Sequence, residues 1–568
     1  MVDVLALVLL SGIGLTHKPH TVAADEVKPF TYDFAQPQRV EIGGTGPTRV
    51  SMLNQVPMPV WGYGILQVSI DNSIGPTQTV RLRYVSGGGN SNRAVERSVE
   101  VRAGERVQVS LPIPSALRYG RLVARGPGIV DATEPGVYFT YAYRPQRVVL
   151  SLGGAEDFEK LAGQRPVNAE PAAIVTPIAP ADAPTELAGY VGYDVVAVAQ
   201  GTLETLPPGV QRALEAYAAT GGVLLLGEVG RDTDALLPLF GSTLASNGLD
   251  AYGFGWVARA PLPAQREAAF FRSLPLVKPQ GVRPSYSRRG FGTGAGADEV
   301  LLPQALAPIG RFLIIIVLFT LAIGPGSFWV AKKRGPGALL VSIPATAFVT
   351  CALLIGYSLI RDGFTVHASV QGLTLLDSER NRAISSSVGA FYANLAPGKA
   401  VFPATTAVIA PWENNNDSQG AGIVWGEGAR FGADFLPSRS YREWALLSVE
   451  PSRARLVVKE DGDGLKVQNA LGARIAELRV VWKGTEYSAQ GVRDGGETRL
   501  AQAKQPGAVD LEARAVTRFD EAGFERVRDG LKEGEFLARL DGPAFTPLGG
   551  LALSHHESAH LVRGAVHR

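Results

Sequence analysis

The sequence predicts a multidomain membrane protein: an all-β sandwich, an α/β domain with a parallel sheet, two transmembrane helices and a C-terminal β-rich region. Three observations predict it. Two long apolar runs sit in the middle of the chain. Alternating, β-branched segments flank them on both sides. Between 147 and 260 the alternation gives way to a strand–helix–strand pattern.

Composition sets the bounds. The chain has 568 residues, enough for three or four domains at roughly 100–200 residues each. Formal net charge is +2, so no basic excess points to nucleic acid. Mean hydropathy is only +0.08, too low for a polytopic transporter. The one cysteine, Cys351, permits no intrachain disulfide, no CxxC redox pair and no all-cysteine zinc site.

Residues 1–24 read as a secretory signal peptide. An apolar run over 4–15, too short to span a bilayer, is followed by the small residues Val22, Ala23 and Ala24. Residues 25–146 read as a β-sandwich, with alternating or aromatic segments at 39–42, 66–70, 80–84, 98–102, 106–111 and 137–143 separated by Gly, Asn and Pro. The stretch 87–92 is a hairpin loop.

Residues 147–300 form the α/β domain. Strands are expected at 147–152, 193–198 and 223–226. The helix 206–218 is opened by proline and stopped by Gly221-Gly222. A strand–helix–strand order at this spacing implies a parallel sheet. The segment YDVVAVAQGTLETLPPGVQRALEAYAATGGVLLL, residues 193–226, resembles the class I glutamine amidotransferase-like domains. That resemblance implies a flavodoxin-like α/β fold. Active members use a nucleophilic cysteine activated by histidine; Cys351 lies in an apolar run far downstream, and no histidine stands between His20 and His367. The resemblance therefore implies the fold without the activity.

The apolar runs are 309–330, charged only at Arg311, and 337–360, which carries no charge. At about 1.5 Å per residue each is long enough to cross about 30 Å of hydrocarbon. The loop 331–336 holds Lys332, Lys333 and Arg334, which the positive-inside rule assigns to the cytoplasmic face. Trp329 and Tyr357 are candidate interfacial anchors, and Gly324-Pro325-Gly326 is expected to kink the first helix. The stretch AIGPGSFWVAKKRGPGALLVSIPATAFVT, residues 322–350, resembles the paired helices of a group of bacterial membrane proteins in which an amidotransferase-like domain precedes the helices and a β domain follows. Residues 361–568 read as one or two extracytoplasmic β domains, with strands near 365–370, 422–425, 455–458, 464–468 and 479–482.

Catalytic chemistry has thin support. His556-Glu557-Ser558-Ala559-His560 fits the HExxH pattern, in which a helix presents both histidines to zinc and the glutamate acts as general base. No downstream ligand follows at the required spacing, and 559–566 reads as a closing strand. Glu156/Asp157 and Asp232/Asp234 lack glycosidase spacing, and the glycine-rich 291–296 follows no strand. No catalytic residue, cofactor or resident metal is expected. The expectation is a non-enzymatic protein of the bacterial inner membrane that presents its extracytoplasmic domains to an envelope protein or glycan. The alternative is an envelope hydrolase using an acidic site or the His556-Glu557-His560 cluster, with metal as its cofactor in the second case.

Overall fold

The computed structural model describes residues 38–43, 45–59, 61–87, 93–117, 120–141, 147–154, 173–199, 201–227, 248–259, 301–302, 309–362, 365–410, 421–462, 464–503, 519, 527–528, 530–555 and 558–568. The expected signal peptide, the glycine-rich 291–296, both acidic pairs, His556 and Glu557 lie outside them.

The N-terminal part is a two-sheet β structure. The first sheet is antiparallel and runs β1 (Arg39–Gly43), β2 (Arg49–Leu53), β4 (Tyr63–Asp71), β7 (Arg106–Pro114). The second contains β3 (Gln55–Met58), β5 (Gln78–Ser86), β6 (Ala94–Val101), β8 (Gly120–Arg125) and β9 (Gly136–Tyr141). In β5 buried and exposed residues alternate, as one-sided burial requires. Val80, Leu82 and Tyr84 enter one core with Val50, Val68 and Ile70 of the first sheet.

This second sheet continues with strands from beyond the apolar runs. β20 (Ile423–Trp425) pairs parallel to β6, with Ile423 opposite Val95, and β21 (Gly428–Phe431) and β18 (Ala400–Pro403) extend the same edge. The sequence reading kept 25–146 and 361–568 apart, whereas the chain joins them in one sheet. Strands of three or four residues are too short to show a period, and distant pairing leaves no local signature.

The α/β unit has a six-stranded sheet. Its order is β11 (Ala173–Ile178), β10 (Arg147–Leu152), β12 (Val195–Val198), β13 (Val223–Leu226), β15 (Gly255–Arg259), β14 (Gly248–Tyr252). All pairings are parallel except β14–β15. Strands β10, β12 and β13 are buried at every position, the mark of a sheet covered on both faces. The helix Pro208–Ala219 starts with proline in its first turn, where no N–H is missed. Tyr217 on its buried side donates to the Tyr193 carbonyl at 2.8 Å.

After the apolar runs come three long antiparallel strands, β16 (Val366–Asp377), β17 (Arg382–Ala393) and β22 (Ser440–Pro451), with β19 (Thr406–Ile409) outside β22. On its other side β16 pairs in parallel with β29 (Leu553–His555) and β30 (Ala559–His567). From β30 the sheet runs through β23 (Arg455–Asp461), β24 (Gly464–Ala470), β27 (Glu497–Gln502), β26 (Thr485–Val492), β25 (Arg474–Trp482) and β28 (Glu535–Asp541), and β28 pairs back with β30. Seven strands thus close a barrel around Val458, Val467, Leu478, Val480, Phe536 and Val562. Closure removes the open edges that invite aggregation.

The apolar runs form a helical hairpin. The first helix, Ile309–Leu321, passes through a π-type turn at Ala322–Gly326 and continues as Ser327–Arg334. The π-type turn falls at Gly324-Pro325-Gly326, where a kink was expected and where Pro325 has no N–H to give the helix ladder. Lys332, Lys333 and Arg334 sit on the last helical turn, not in a loop, where positive charge complements the helix dipole. Gly335, at φ +83°, reverses the chain into a short 3-10 turn, Pro336–Ala338, and the second helix, Leu339–Asp362. Leu313, Val317, Phe328, Leu340 and Phe348 are all half or more exposed. Both helices are long and apolar enough to cross a membrane, and neither is buried in protein.

Side chains also bind the parts together. Trp425 donates to the Pro112 carbonyl at 3.0 Å, Tyr63 donates to the Val408 carbonyl, and Arg97 pairs with Glu186. Arg382 on β17 reaches Glu215 of the Pro208–Ala219 helix at 2.8 Å and Asp377 at 3.0 Å. Tyr252 donates to the same Glu215 oxygen at 3.0 Å. All three charged side chains are less than a fifth exposed, so removing one member strands the others in poor solvent. Arg382→Met should cost about 3 kcal/mol, read as a lowered denaturation midpoint; an unchanged midpoint would mean the triad is solvated.

Candidate functional site

Two clusters outside the hairpin bring together residues with chemical potential. The first surrounds His560. It lies on β30, between Gly372 of β16 and Leu540 of β28, and is fully buried. Its Nε2 is 2.6 Å from Thr374 Oγ1, which is 2.7 Å from Ser385 Oγ. Ser387 and Thr546 hydroxyls meet nearby at 2.8 Å. A Cβ at position 372 would lie 2.2 Å from the imidazole Cε1, so glycine makes the slot in which the ring lies. Nδ1 has no hydrogen-bond partner among the described residues. Desolvation therefore acts almost alone, and it pushes the imidazole down to about 3. His560 is neutral in the folded protein at physiological pH.

This placement bears on HExxH. The motif requires a helix to align positions four apart, and His560 stands in a strand. Its one hydrogen-bonded nitrogen already meets a hydroxyl in an enclosed space. Among the described residues no three His, Cys, Asp or Glu side chains are grouped to hold a metal. The expected closing strand over 559–566 is present as β30.

The second cluster lies where the β structure meets the hairpin. His367 and Ser369 on β16, Tyr392 and Ala390 on β17, and Tyr441 and Glu443 on β22 are directly opposed in register. Period-two alternation puts them on one face. The His367 and Tyr392 rings are 6.3 Å apart. Leu302, just ahead of the first apolar helix, is buried against Ala390 with Tyr392 and Tyr441 beside it. Tyr441 donates to Glu443 Oε1. Burial, partly offset by that bond, pushes the Glu443 carboxyl up to about 7. A carboxyl poised near neutrality, beside aromatic rings, can exchange a proton or accept a hydrogen bond from a ligand. The sequence carried a signal: in 441–447, Glu443 occupies one of the alternate positions of a strand that is otherwise mostly apolar.

The basic turn stands apart from both clusters. Lys332, Lys333 and Arg334 are exposed, and the Lys333 ammonium sits 3.9 Å from the centre of the Trp329 ring.

No protein-family model matches this chain, and no curated protein matches it. Among solved structures, a β-glucosidase from Listeria innocua in complex with gluconolactone is 13% identical over 23% of this chain and 20% of its own, with a TM-score of 0.13. A β-glucuronidase from glycoside hydrolase family 2 is 9% identical over 93% of this chain and 61% of its own, with a TM-score of 0.15. The chain thus spans about a fifth and about three-fifths of these two proteins. At such scores the likeness carries no argument about fold or activity.

The two titratable groups tilt stability in opposite directions. His560, folded near 3 against an ordinary 6.5, contributes stability that is lost as pH falls from 6.5. Glu443, folded near 7 against an ordinary 4.5, contributes stability that is lost as pH rises from 4.5 to 7. Each slope approaches about 1.4 kcal/mol per pH unit. They offset one another between 4.5 and 6.5. Glu443→Gln should unmask a steady rise in denaturation midpoint with pH across that window, while the parent chain stays flatter. Superimposable profiles would show that Glu443 is not held protonated.

Proposed function

We propose that this chain is a non-enzymatic protein of the bacterial inner membrane, anchored by its helical hairpin, whose β structure is held outside the cytoplasm to bind an envelope protein or a glycan. One observation carries the reading: strands from both sides of an exposed apolar hairpin share a sheet through β6 and β20. Two flanks joined by backbone hydrogen bonds must lie on one side of a bilayer, so the hairpin enters and returns. The cations Lys332 to Arg334 at its tip favour the cytoplasmic face for the turn. Within this reading, residues 147–260 are a degenerate amidotransferase-like unit. Its parallel strands and returning helix Pro208–Ala219 support that, and the sole cysteine stands elsewhere.

Single cysteines placed in a Cys351→Ala chain test the topology. Glu100→Cys and Glu379→Cys, exposed on either flank, should react with an impermeant maleimide on intact spheroplasts. Lys333→Cys should react only after permeabilisation. The reverse pattern overturns the orientation, and labelling of all three without permeabilisation overturns membrane crossing. For the binding role, a photo-crosslinking residue at Tyr392 should give a discrete adduct with an envelope protein or glycan strand in cells. Self-adducts alone would remove that role.

A further inference from the structure

The tip of the hairpin carries more than a topology signal. Lys332, Lys333 and Arg334 end one helix, and after Gly335 the next helical run begins at Pro336 with no side chain capping it. All three cations are exposed, and none forms an ion pair with a described residue. Between Ile309 and Arg361 there is no Asp or Glu at all, so the hairpin has no internal anion to neutralise them. At successive positions about 100° apart on the helix, the three side chains fan around its end. Lys333 is drawn back over Trp329, an aromatic more than half exposed and of a type enriched where membranes meet water. Three exposed cations, an exposed ring under one of them and a helix start without a side-chain cap thus stand within ten consecutive residues at the end of an apolar span.

We infer that residues 329–338 form a binding site for the phosphate of an anionic glycerophospholipid headgroup, with Lys332, Lys333 and Arg334 supplying charge and Trp329 packing against the glycerol region. The inference rests on the hairpin being in a bilayer, and it adds a lipid class to the partners proposed above. Free inorganic phosphate shares the chemistry of the headgroup, but the apolar surroundings and Trp329 favour the lipid.

The full chain in nanodiscs of phosphatidylcholine mixed with phosphatidylglycerol, read by native mass spectrometry of lipids retained on ejection, tests it. Both faces of a nanodisc are alike, so neutralising the turn does not confound the readout through altered topology. Phosphatidylglycerol should be retained over phosphatidylcholine by about tenfold or more, the scale set by several basic residues at an anionic surface. K332Q/K333Q/R334Q should abolish the preference. W329L, which leaves every charge in place, should weaken it several-fold. Retention in proportion to composition, preference unchanged in the triple variant, or loss of the lipid to added inorganic phosphate would each overturn the lipid site. Incorporation into phosphatidylcholine-only discs is scored separately. If the chain does not incorporate there, membrane anchoring itself fails; if it incorporates there but shows no preference in the mixed discs, only the lipid site does.

Discussion

The parallel pairing of β6 with β20 is the constraint on which the rest of the molecule depends. It ties residues before the apolar hairpin to residues after it by backbone hydrogen bonds. Side chains reinforce it across the same divide: Trp425 to Pro112, Tyr63 to Val408, and Arg382 to Glu215. The two helices expose Leu and Phe and are long and apolar enough to cross a membrane, while the sheets bury their apolar side chains in closed cores. Sharing one sheet fixes where the two meet.

That meeting point explains the unusual chemistry of its neighbours. β16 starts where the second apolar helix ends, and it carries both clusters along its length: His367 toward the hairpin, Gly372 and Thr374 beside His560 further on. Desolvation shifts both buried groups toward their uncharged forms, raising the Glu443 carboxyl and lowering the His560 imidazole. Two uncharged hydroxyl pairs, Thr374 with Ser385 and Ser387 with Thr546, sit at the strand junction. Uncharged hydroxyl bonds satisfy the interior at less desolvation cost than ion pairs would incur. The buried ionic triad at Arg382 occurs where β17 meets the Pro208–Ala219 helix.

At HExxH two sequence patterns compete. The spacing is meaningful only on a helix, and the alternation of 559–566 competes with it. The sheet decides in favour of alternation, because β30 must serve β16 on one edge and β28 on the other. The basic residues were expected in a loop, whereas the helix extends through Arg334, which brings Lys333 back onto Trp329.

The sequence by itself determined the elements whose evidence is local. The apolar length and exposed surface of the hairpin, the fully buried strands β10, β12 and β13, the proline-led helix at 208 and the alternation of β5 are each written within a dozen or two consecutive residues, because periodicity records which side of an element meets apolar surroundings. Tertiary structure alone decided the closure of the seven-stranded barrel, the annexation of β18, β20 and β21 by the N-terminal sheet, and the burial of His560 and Glu443. Those depend on partners such as Pro112 and Trp425, 313 residues apart. Pairing across that distance is selected by the packing of whole sheets, and no window of sequence contains both sides of the bond.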